Sequence, residues 1–231
     1  MNSVTSFISA LSEIVFPSVC VCCGSAAITV DTVLCGWCAE GRFELADYPH
    51  TEICPDSVES IYAMWNFDKG GYLQQLLHDL KYNHLKNLGR ELGAQMAVEM
   101  PGSFKELAER SGAADPILIP VPLHRSKERK RGYNQSRMIA AGIASVTGWE
   151  LLPKQIVIRV QNRGSQTGLT KEERVANVRN SFQVLGGCTL EKRQCIIVDD
   201  VFTTGATVFE MAGKLIPITG RRVMVATVAR A

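Results

Sequence analysis

The chain has 231 residues, 46% of them hydrophobic and 21% charged, enough to bury one substantial core and carry a small appendage. Near-zero mean hydropathy, 7% aromatic residues and few low-complexity runs exclude collagen-like and wholly disordered chains, and no apolar run approaches the ~18 residues of a membrane span. The net charge of +2 hides an asymmetry: residues 1–60 hold one cation, Arg42, against eight acids (−7), while the rest holds 24 Lys and Arg against 15 Asp and Glu (+9) and so favours phosphates or nucleic acid.

Val4, Phe7, Ile8, Leu11, Ile14 and Val15 recur at i, i+3, i+4, i+7 spacing, which predicts an amphipathic helix over residues 1–17. No Lys or Arg precedes them and they form no unbroken run, so a signal peptide is not expected. The polar face carries Ser, Asn, Thr and Glu13 where a membrane-surface helix has cations. Docking on the protein's own core without membrane insertion, and a cytoplasmic location, are the expectations. In that compartment regularly spaced cysteines read as metal ligands and not as disulfides.

Six of the eight cysteines lie in the first 54 residues, and four read Cys20-x2-Cys23-x11-Cys35-x2-Cys38. Two CxxC knuckles predict a zinc ribbon, because each tight turn supplies two thiolates to one tetrahedral ion. Gly24 and Gly36 sit just after Cys23 and Cys35, where a missing Cβ eases the tight knuckle. The spacing also admits Cys22 in place of Cys23. Four thiolates leave no open coordination position, so Zn2+ here is structural and folds a head too small for its own core. Cys54, Cys188 and Cys195 have no paired knuckle and read as small hydrophobes. Residues 42–56, with Pro49, Pro55 and four acids, read as a linker that closes an 18–56 head and places a domain boundary near residue 57.

Beyond it, strands and helices alternate, which predicts an α/β domain over residues 57–231 with a mainly parallel sheet. Ile61, Ala63, Trp65 and Phe67 alternate as a strand with one buried face. Leu73, Leu76, Leu77 and Leu80 keep helical spacing, as do Leu88, Leu92 and Met96. Ile117, Leu118, Ile119 and Val121 form a continuous apolar run, as an interior parallel strand requires. A helix is predicted from about Asn134 to Thr147, a strand through Ile156–Ile158, and a helix from the capping box Thr170-Lys-Glu-Glu173 to about Asn180. A strand over Cys195–Val198, a helix from about Ala206 to Leu215 and a strand over Val223–Val228 complete the domain.

The segment Ile196-Ile-Val-Asp199-Asp200-Val-Phe-Thr203-Thr204-Gly205-Ala206-Thr207 carries the most chemistry. An apolar strand ends in two carboxylates, and a hydroxyl- and glycine-rich turn then opens a helix. In an open parallel sheet, ligands bind beyond the carboxyl ends of the strands. A helix N-terminus offers unpaired N–H groups to a phosphate, and Gly205 lets backbone approach it. The carboxylates would repel that phosphate and instead suit sugar hydroxyls or water-bridged magnesium. Sugar at one end and phosphate at the other describes a ribose 5-phosphate. A Walker B strand also ends in acids, but its partner GxxxxGK[ST] is absent: Gly213-Lys214 is followed by Leu215.

Residues 196–207 closely resemble the phosphoribosyl pyrophosphate (PRPP) motif of type I phosphoribosyltransferases. Further stretches resemble, in the same order, the ComF competence-protein family within that superfamily: the double CxxC head, Leu80-Lys81-Tyr82, Pro120-Val-Pro-Leu123 with a basic loop and Arg131-Gly-Tyr-Asn-Gln135, then Gln166-Thr-Gly-Leu-Thr170 leading to Arg174 and Asn177. The resemblance spans roughly residues 18 to 230 and implies a type I phosphoribosyltransferase core that binds PRPP with Mg2+. Asp199 and Asp200 would take the ribose hydroxyls, and Thr203, Thr204, Gly205, Ala206 and Thr207 would wrap the 5-phosphate. The loop after Val121, made cationic by Arg125, Lys127, Arg129, Lys130 and Arg131, corresponds to the superfamily's diphosphate-binding loop. Such enzymes displace pyrophosphate through an oxocarbenium-like transition state, mainly by positioning and charge stabilisation. No acceptor pocket or catalytic base is identifiable.

His50, His78, His84 and His124 are isolated, with His124 at the edge of the cationic loop the best exception. Lys81 and Tyr82 are candidates to line the site. Trp37 and Trp65 are expected in the core, and Trp149 either stacks on a ligand or covers an edge. Three functions remain: transfer of phosphoribose to an unidentified acceptor, PRPP binding as a sensor, and handling of single-stranded DNA with the competence DNA-uptake machinery or for use of DNA as a nutrient.

Overall fold

The computed structural model describes residues 19–26, 32–48, 54–110, 116–160, 181–186 and 190–231. The expected N-terminal helix, the Gln166–Thr170 stretch, the helix opening at Thr170, His50 and Cys188 lie outside them. In chain order the elements are α1 (Gly36–Gly41), β1 (Val58–Asn66), α2 (Tyr72–Tyr82), α3 (Lys86–Glu99), α4 (Gly102–Glu109), β2 (Ile117–Pro120), α5 (Arg125–Arg131), α6 (Gln135–Thr147), β3 (Glu150–Leu151), β4 (Val157–Arg159), β5 (Phe182–Val184), β6 (Cys195–Phe202), α7 (Ala206–Thr219) and β7 (Val223–Arg230).

Five strands form one sheet in the order β1-β7-β6-β2-β3, every neighbouring pair parallel. Helices cover both faces, so adjacent residues of one strand enter different halves of the core. Leu118, Ile196, Val198 and Met224 pack with Leu77 of α2, Leu92 of α3, Phe104 of α4 and Ile139 of α6. Ile117, Ile119, Ile197 and Val225 pack with Val208, Met211 and Leu215 of α7. On the first face α3 and α6 touch backbone to backbone: a Cβ at Gly93 would lie 1.9 Å from the Ile139 carbonyl oxygen, and one at Gly142 would lie 2.0 Å from that of Arg90. Any larger residue would push the helices apart, and with them the N-terminus of α6.

Several sequence expectations are corrected. β1 is buried on both faces, because Tyr62 and Met64 join the first cluster while Ile61 joins the second. β6 runs past Val198 to Phe202, so Asp199 and Asp200 lie inside the strand, Asp199 level with Thr227 of β7. The strand expected at Ile156–Ile158 is Val157–Arg159; it leaves the main sheet and pairs antiparallel with β5. The cationic stretch after Val121 is a helix, α5, held by its ends and not by a buried stripe: the His124 side chain accepts from the Ser126 N–H, and left-handed Gly132 closes it. α4 was not expected, and α7 continues past Leu215 to Thr219 with Pro217 in its last turn. Gly36 opens α1 without needing a left-handed conformation, unlike Gly24 at φ 74°.

The cysteine-rich head sits against the first face. Cys20, Leu34, Cys35 and Cys38 belong to the same packed cluster as Trp65 and Leu73. The Glu91 carboxylate of α3 accepts the Val33 and Leu34 N–H groups at 2.6 and 3.0 Å, and Gln95 donates to the Ala39 carbonyl. Residues 44–46 run antiparallel beside β1, with Asn66 N–H to Glu44 O at 2.8 Å and Ala46 N–H to Met64 O at 3.0 Å. Trp65 is buried as expected, whereas Trp37 is 63% exposed. Its ring lies on the Arg42 guanidinium instead of entering the core. Trp149 is buried, its indole N–H donating to Glu109. Among the described residues, no helix is long and apolar enough to cross a membrane.

Candidate functional site

β2 feeds a crossover to β3 on one side of the sheet, and β6 feeds a crossover to β7 on the other. The connections therefore diverge between β2 and β6, and a crevice opens beyond the carboxyl ends of these two strands. Asp199, Asp200 and the turn after them stand on one side of that crevice, and the segment leading into α5 stands on the other.

The two carboxylates are held differently. Asp200 shares a strand face with Ile196 and Val198, which brings it under the end of α2, where Lys81 Nζ reaches its Oδ2 at 2.6 Å. Asp199 Oδ1 accepts from the Ser136 hydroxyl of α6 at 2.8 Å and from the Asp200 N–H at 3.0 Å. Burial and the adjacent Asp200 charge push the Asp199 carboxyl up to about 7, against the pull of Ser136 and Lys81. A carboxylate pair that protein donors satisfy only in part fits sugar hydroxyls or a divalent cation with its water.

Thr203, Thr204 and Gly205 make the turn into α7. Gly205 is left-handed at φ 73°, and a Cβ there would lie 2.2 Å from the Phe209 ring. It offers no side-chain cap, and Thr204 Oγ1 accepts from the Ala206 N–H at 3.4 Å. The first turn of α7 therefore follows directly on the end of β6, and backbone N–H groups at such a helix start suit an anion.

The five cations of α5 do not act as one group. Arg125, Arg129 and Lys130 are exposed. Arg131 lies over the Tyr82 ring at 5.5 Å and donates to Gln135. The Lys127 ammonium is pushed down by burial and by the nearby charges of Arg159 and Arg131. Arg159, on β4, is pushed down by burial while Asp199 and Glu210 act against that shift. Lys127, Arg131 and Arg159 thus lie near one another, and Arg159 also feels the Asp199 charge, an arrangement that an anion would relieve. The stretch after α5 is structural throughout: Tyr133 donates to the Leu80 carbonyl, and Asn134 caps α6 while donating to the Val121 carbonyl at 2.9 Å. His124 is occupied as the cap of α5.

Sequence reasoning did not find Arg159 or Ser136. A cation in a short apolar strand, and a serine directly after Asn134-Gln135, were the available signals. A second concavity of about 480 Å³ lies between Pro122–Arg125, Arg137, Leu152 and Val157, and residues 199–207 do not line it.

In the head, the sulfurs of Cys20, Cys23, Cys35 and Cys38 lie within 4.8 Å of one another, with Cys23 and Cys35 at 3.7 Å. Four sulfurs at ~2.3 Å from one tetrahedral zinc stand about 3.8 Å apart, so these residues fit that ion. Burial works to raise the Cys20 thiol, but the N–H groups of Cys35, Cys23 and Cys22 outweigh it and leave it at about 7. Burial and the neighbouring thiols push Cys38 strongly up. Cys22 packs against Cys38 beside the four.

No protein-family model matches the sequence. Competence protein F of Haemophilus influenzae is 32% identical over 117 residues, covering 49% of this chain and 50% of that protein. DNA utilization protein YhgH of Salmonella typhimurium is 30% identical over 148 residues, 62% of this chain and 61% of that protein. Competence protein ComFC of Bacillus subtilis is 26% identical over 91 residues, 39% and 34% of the two chains. The chain thus spans about a third to three-fifths of the length of these relatives. Over those stretches the chain is similar to proteins named for competence and DNA utilization, and it combines a parallel α/β sheet with a four-cysteine cluster.

Proposed function

We propose that the protein binds magnesium-PRPP in the crevice between β2 and β6 and serves the uptake or use of DNA. The observation that carries the first part is the juxtaposition of a partly satisfied carboxylate pair, Asp199 and Asp200, with the uncapped N-terminus opened by Gly205. Asp199 and Asp200 orient the ribose hydroxyls, residues 203–207 hold the 5-phosphate, and Lys127, Arg131 and Arg159 face the diphosphate. The carboxylate pair fits Mg2+, which when bound would neutralise charge on the diphosphate as it leaves. Lys81 holds Asp200 in place until the sugar arrives. Residues 18–56 act as a zinc-bound head that seats on α3 and β1.

Calorimetric titration of PRPP with and without magnesium tests this reading. Binding that needs magnesium and disappears in Asp199→Asn/Asp200→Asn supports it, and no binding at millimolar PRPP overturns it. Pyrophosphate release with a panel of bases then separates a transferase from a sensor.

The second part rests on relatives named for competence and DNA utilization and on the exposed cations of α5. Single-stranded DNA is the expected form, with its phosphates on those cations. Affinity for an oligonucleotide that falls steeply between low and moderate salt supports it, and affinity insensitive to salt counts against it.

A further inference from the structure

The exposed large apolar residues among those described include three aromatics, Trp37, Tyr72 and Tyr82, with 63%, 55% and 59% of their surface open to solvent. They are not scattered. Arg42 lies between the first two, its guanidinium carbon 4.5 Å from the Trp37 ring and 3.9 Å from that of Tyr72. Tyr72 opens α2 and Tyr82 closes it. At that far end the His78 and Tyr82 rings are 4.6 Å apart, and Arg131 sits over Tyr82 at 5.5 Å. Two groups, Trp37–Arg42–Tyr72 at the head end and His78–Tyr82–Arg131 at the far end, thus stand at opposite ends of α2, and the far end is where Lys81 meets Asp200.

Packing does not account for these rings. A chain with 7% aromatic residues gains more by burying its rings than by leaving three of them open at the ends of one helix. The carboxylates along it accept from neutral donors, and Asp79 also stands 3.6 Å from His78 Nδ1. Asp79, the one acid of α2, accepts from Gln75 and Asn83, and Asp68 caps the helix through the Leu73 and Gln74 N–H groups. The surface presents three open rings, with Arg42 between the first two and Arg131 over the third. Unpaired bases stack on rings, and phosphates pair with the cations beside them. A duplex keeps its bases inside the stack and cannot use the rings. From Tyr72 to Tyr82 the helix rises ~15 Å, the length of about four nucleotides at the ~3.4 Å per-strand rise of stacked DNA.

We infer that these rings form a track for single-stranded DNA, which stacks its bases on Trp37, Tyr72 and Tyr82 and leads the strand from the head to the crevice. The inference rests on the DNA-handling reading above and adds the surface that carries it.

The test is anisotropy of fluorescein-labelled oligo(dT) of graded length, with a duplex of the same length as control. Single strands of about six nucleotides or more bind the wild type, and the duplex binds at least tenfold more weakly. Trp37→Ala, Tyr72→Ala and Tyr82→Ala each weaken binding by roughly five- to a hundredfold, the range for losing one stacked base, while Tyr72→Phe and Tyr82→Phe retain it. Because Trp65 and Trp149 are buried, quenching of tryptophan emission by oligo(dT) reports on Trp37. Tyr82→Ala, on the body, keeps the test valid should Trp37→Ala disturb the head. A triple alanine variant with unchanged melting temperature and full oligo(dT) affinity overturns the track and leaves the DNA reading standing. Absence of oligo(dT) binding by the wild type overturns both, and equal affinity for the duplex overturns the stacking mode.

Discussion

The molecule contains two clusters of like acidic groups, and they are held in opposite ways. In the head, four thiols converge within 4.8 Å, and their further partners include backbone N–H groups such as that of Cys35 to Cys20. At the sheet, two carboxylates stand side by side, but Lys81 and Ser136 already engage one oxygen of each. Four thiols at that separation fit one resident zinc ion. The carboxylate pair has protein partners of its own without one. The two clusters differ in how much of the charge the protein itself compensates.

Metal removal tests the first half and should give the largest effect. Cys38→Ser takes a buried ligand from the cluster. Elemental analysis should fall from about one zinc per chain toward none, and the melting temperature should drop by more than about 10 °C, given the ~10 kcal/mol scale of structural zinc binding. Cys22→Ser, which lies beside the four, should keep the zinc. A cleanly purified wild type with no zinc, or a Cys38→Ser protein as stable as the wild type, would remove the contrast.

At the sheet, the next largest effect belongs to Gly205→Ala. The residue is left-handed, and the added Cβ meets Phe209, so a cost of about 1–3 kcal/mol is expected. Because the strain falls on the turn that opens α7, PRPP affinity should drop at least tenfold, read by calorimetry. Ala206→Gly, one residue later, should be mild.

How far the sequence reached differs between the two clusters for a physical reason. Cys20, Cys23, Cys35 and Cys38 are close in the chain, and knuckle spacing alone brings them together. Asp199 and Asp200 were legible as neighbours, but their partners come from α2 and α6, 63 residues away in the case of Ser136. Arg159, which feels the Asp199 charge, sits on an antiparallel strand pair that no local pattern ties to the site. The buried strands read well because both faces are covered and the apolar run is unbroken. α5 did not, since it buries nothing and is set by its caps at His124 and Gly132. Trp37 was expected inside, and composition carries no sign that a guanidinium would hold its ring in the open.

A smaller effect concerns pH. Burial and Asp200 raise the Asp199 carboxyl to about 7, above the ~3.9 of an unfolded chain. The folded state then holds a proton that the unfolded state has lost, so stability is full below about pH 4 and declines as pH rises toward 7. Asp199→Asn removes the carboxylate and can still accept from Ser136. Thermal melts of the ligand-free protein should show this variant a few °C more stable than the wild type at pH 8, with the difference vanishing near pH 4. An identical pH dependence in both proteins would show that Asp199 is as well compensated as Asp200.

The smallest effect separates the cations of α5 from one another. Arg129 and Lys130 face solvent, where screening leaves each charge worth little to a small ligand in the crevice. Lys127 is held partly buried near Arg131 and Arg159, where an incoming diphosphate meets less water. Lys127→Ala should therefore weaken PRPP binding about tenfold, whereas Arg129→Ala/Lys130→Ala should change it by less than about threefold. The same double variant should still reduce oligonucleotide affinity and the steepness of its salt dependence, because a strand with many phosphates samples the outer surface that one diphosphate does not reach. If the double variant instead matches Lys127→Ala toward PRPP, the helix presents all its cations to the crevice, and the compensation of the carboxylate pair is shared more widely than the geometry of α5 implies.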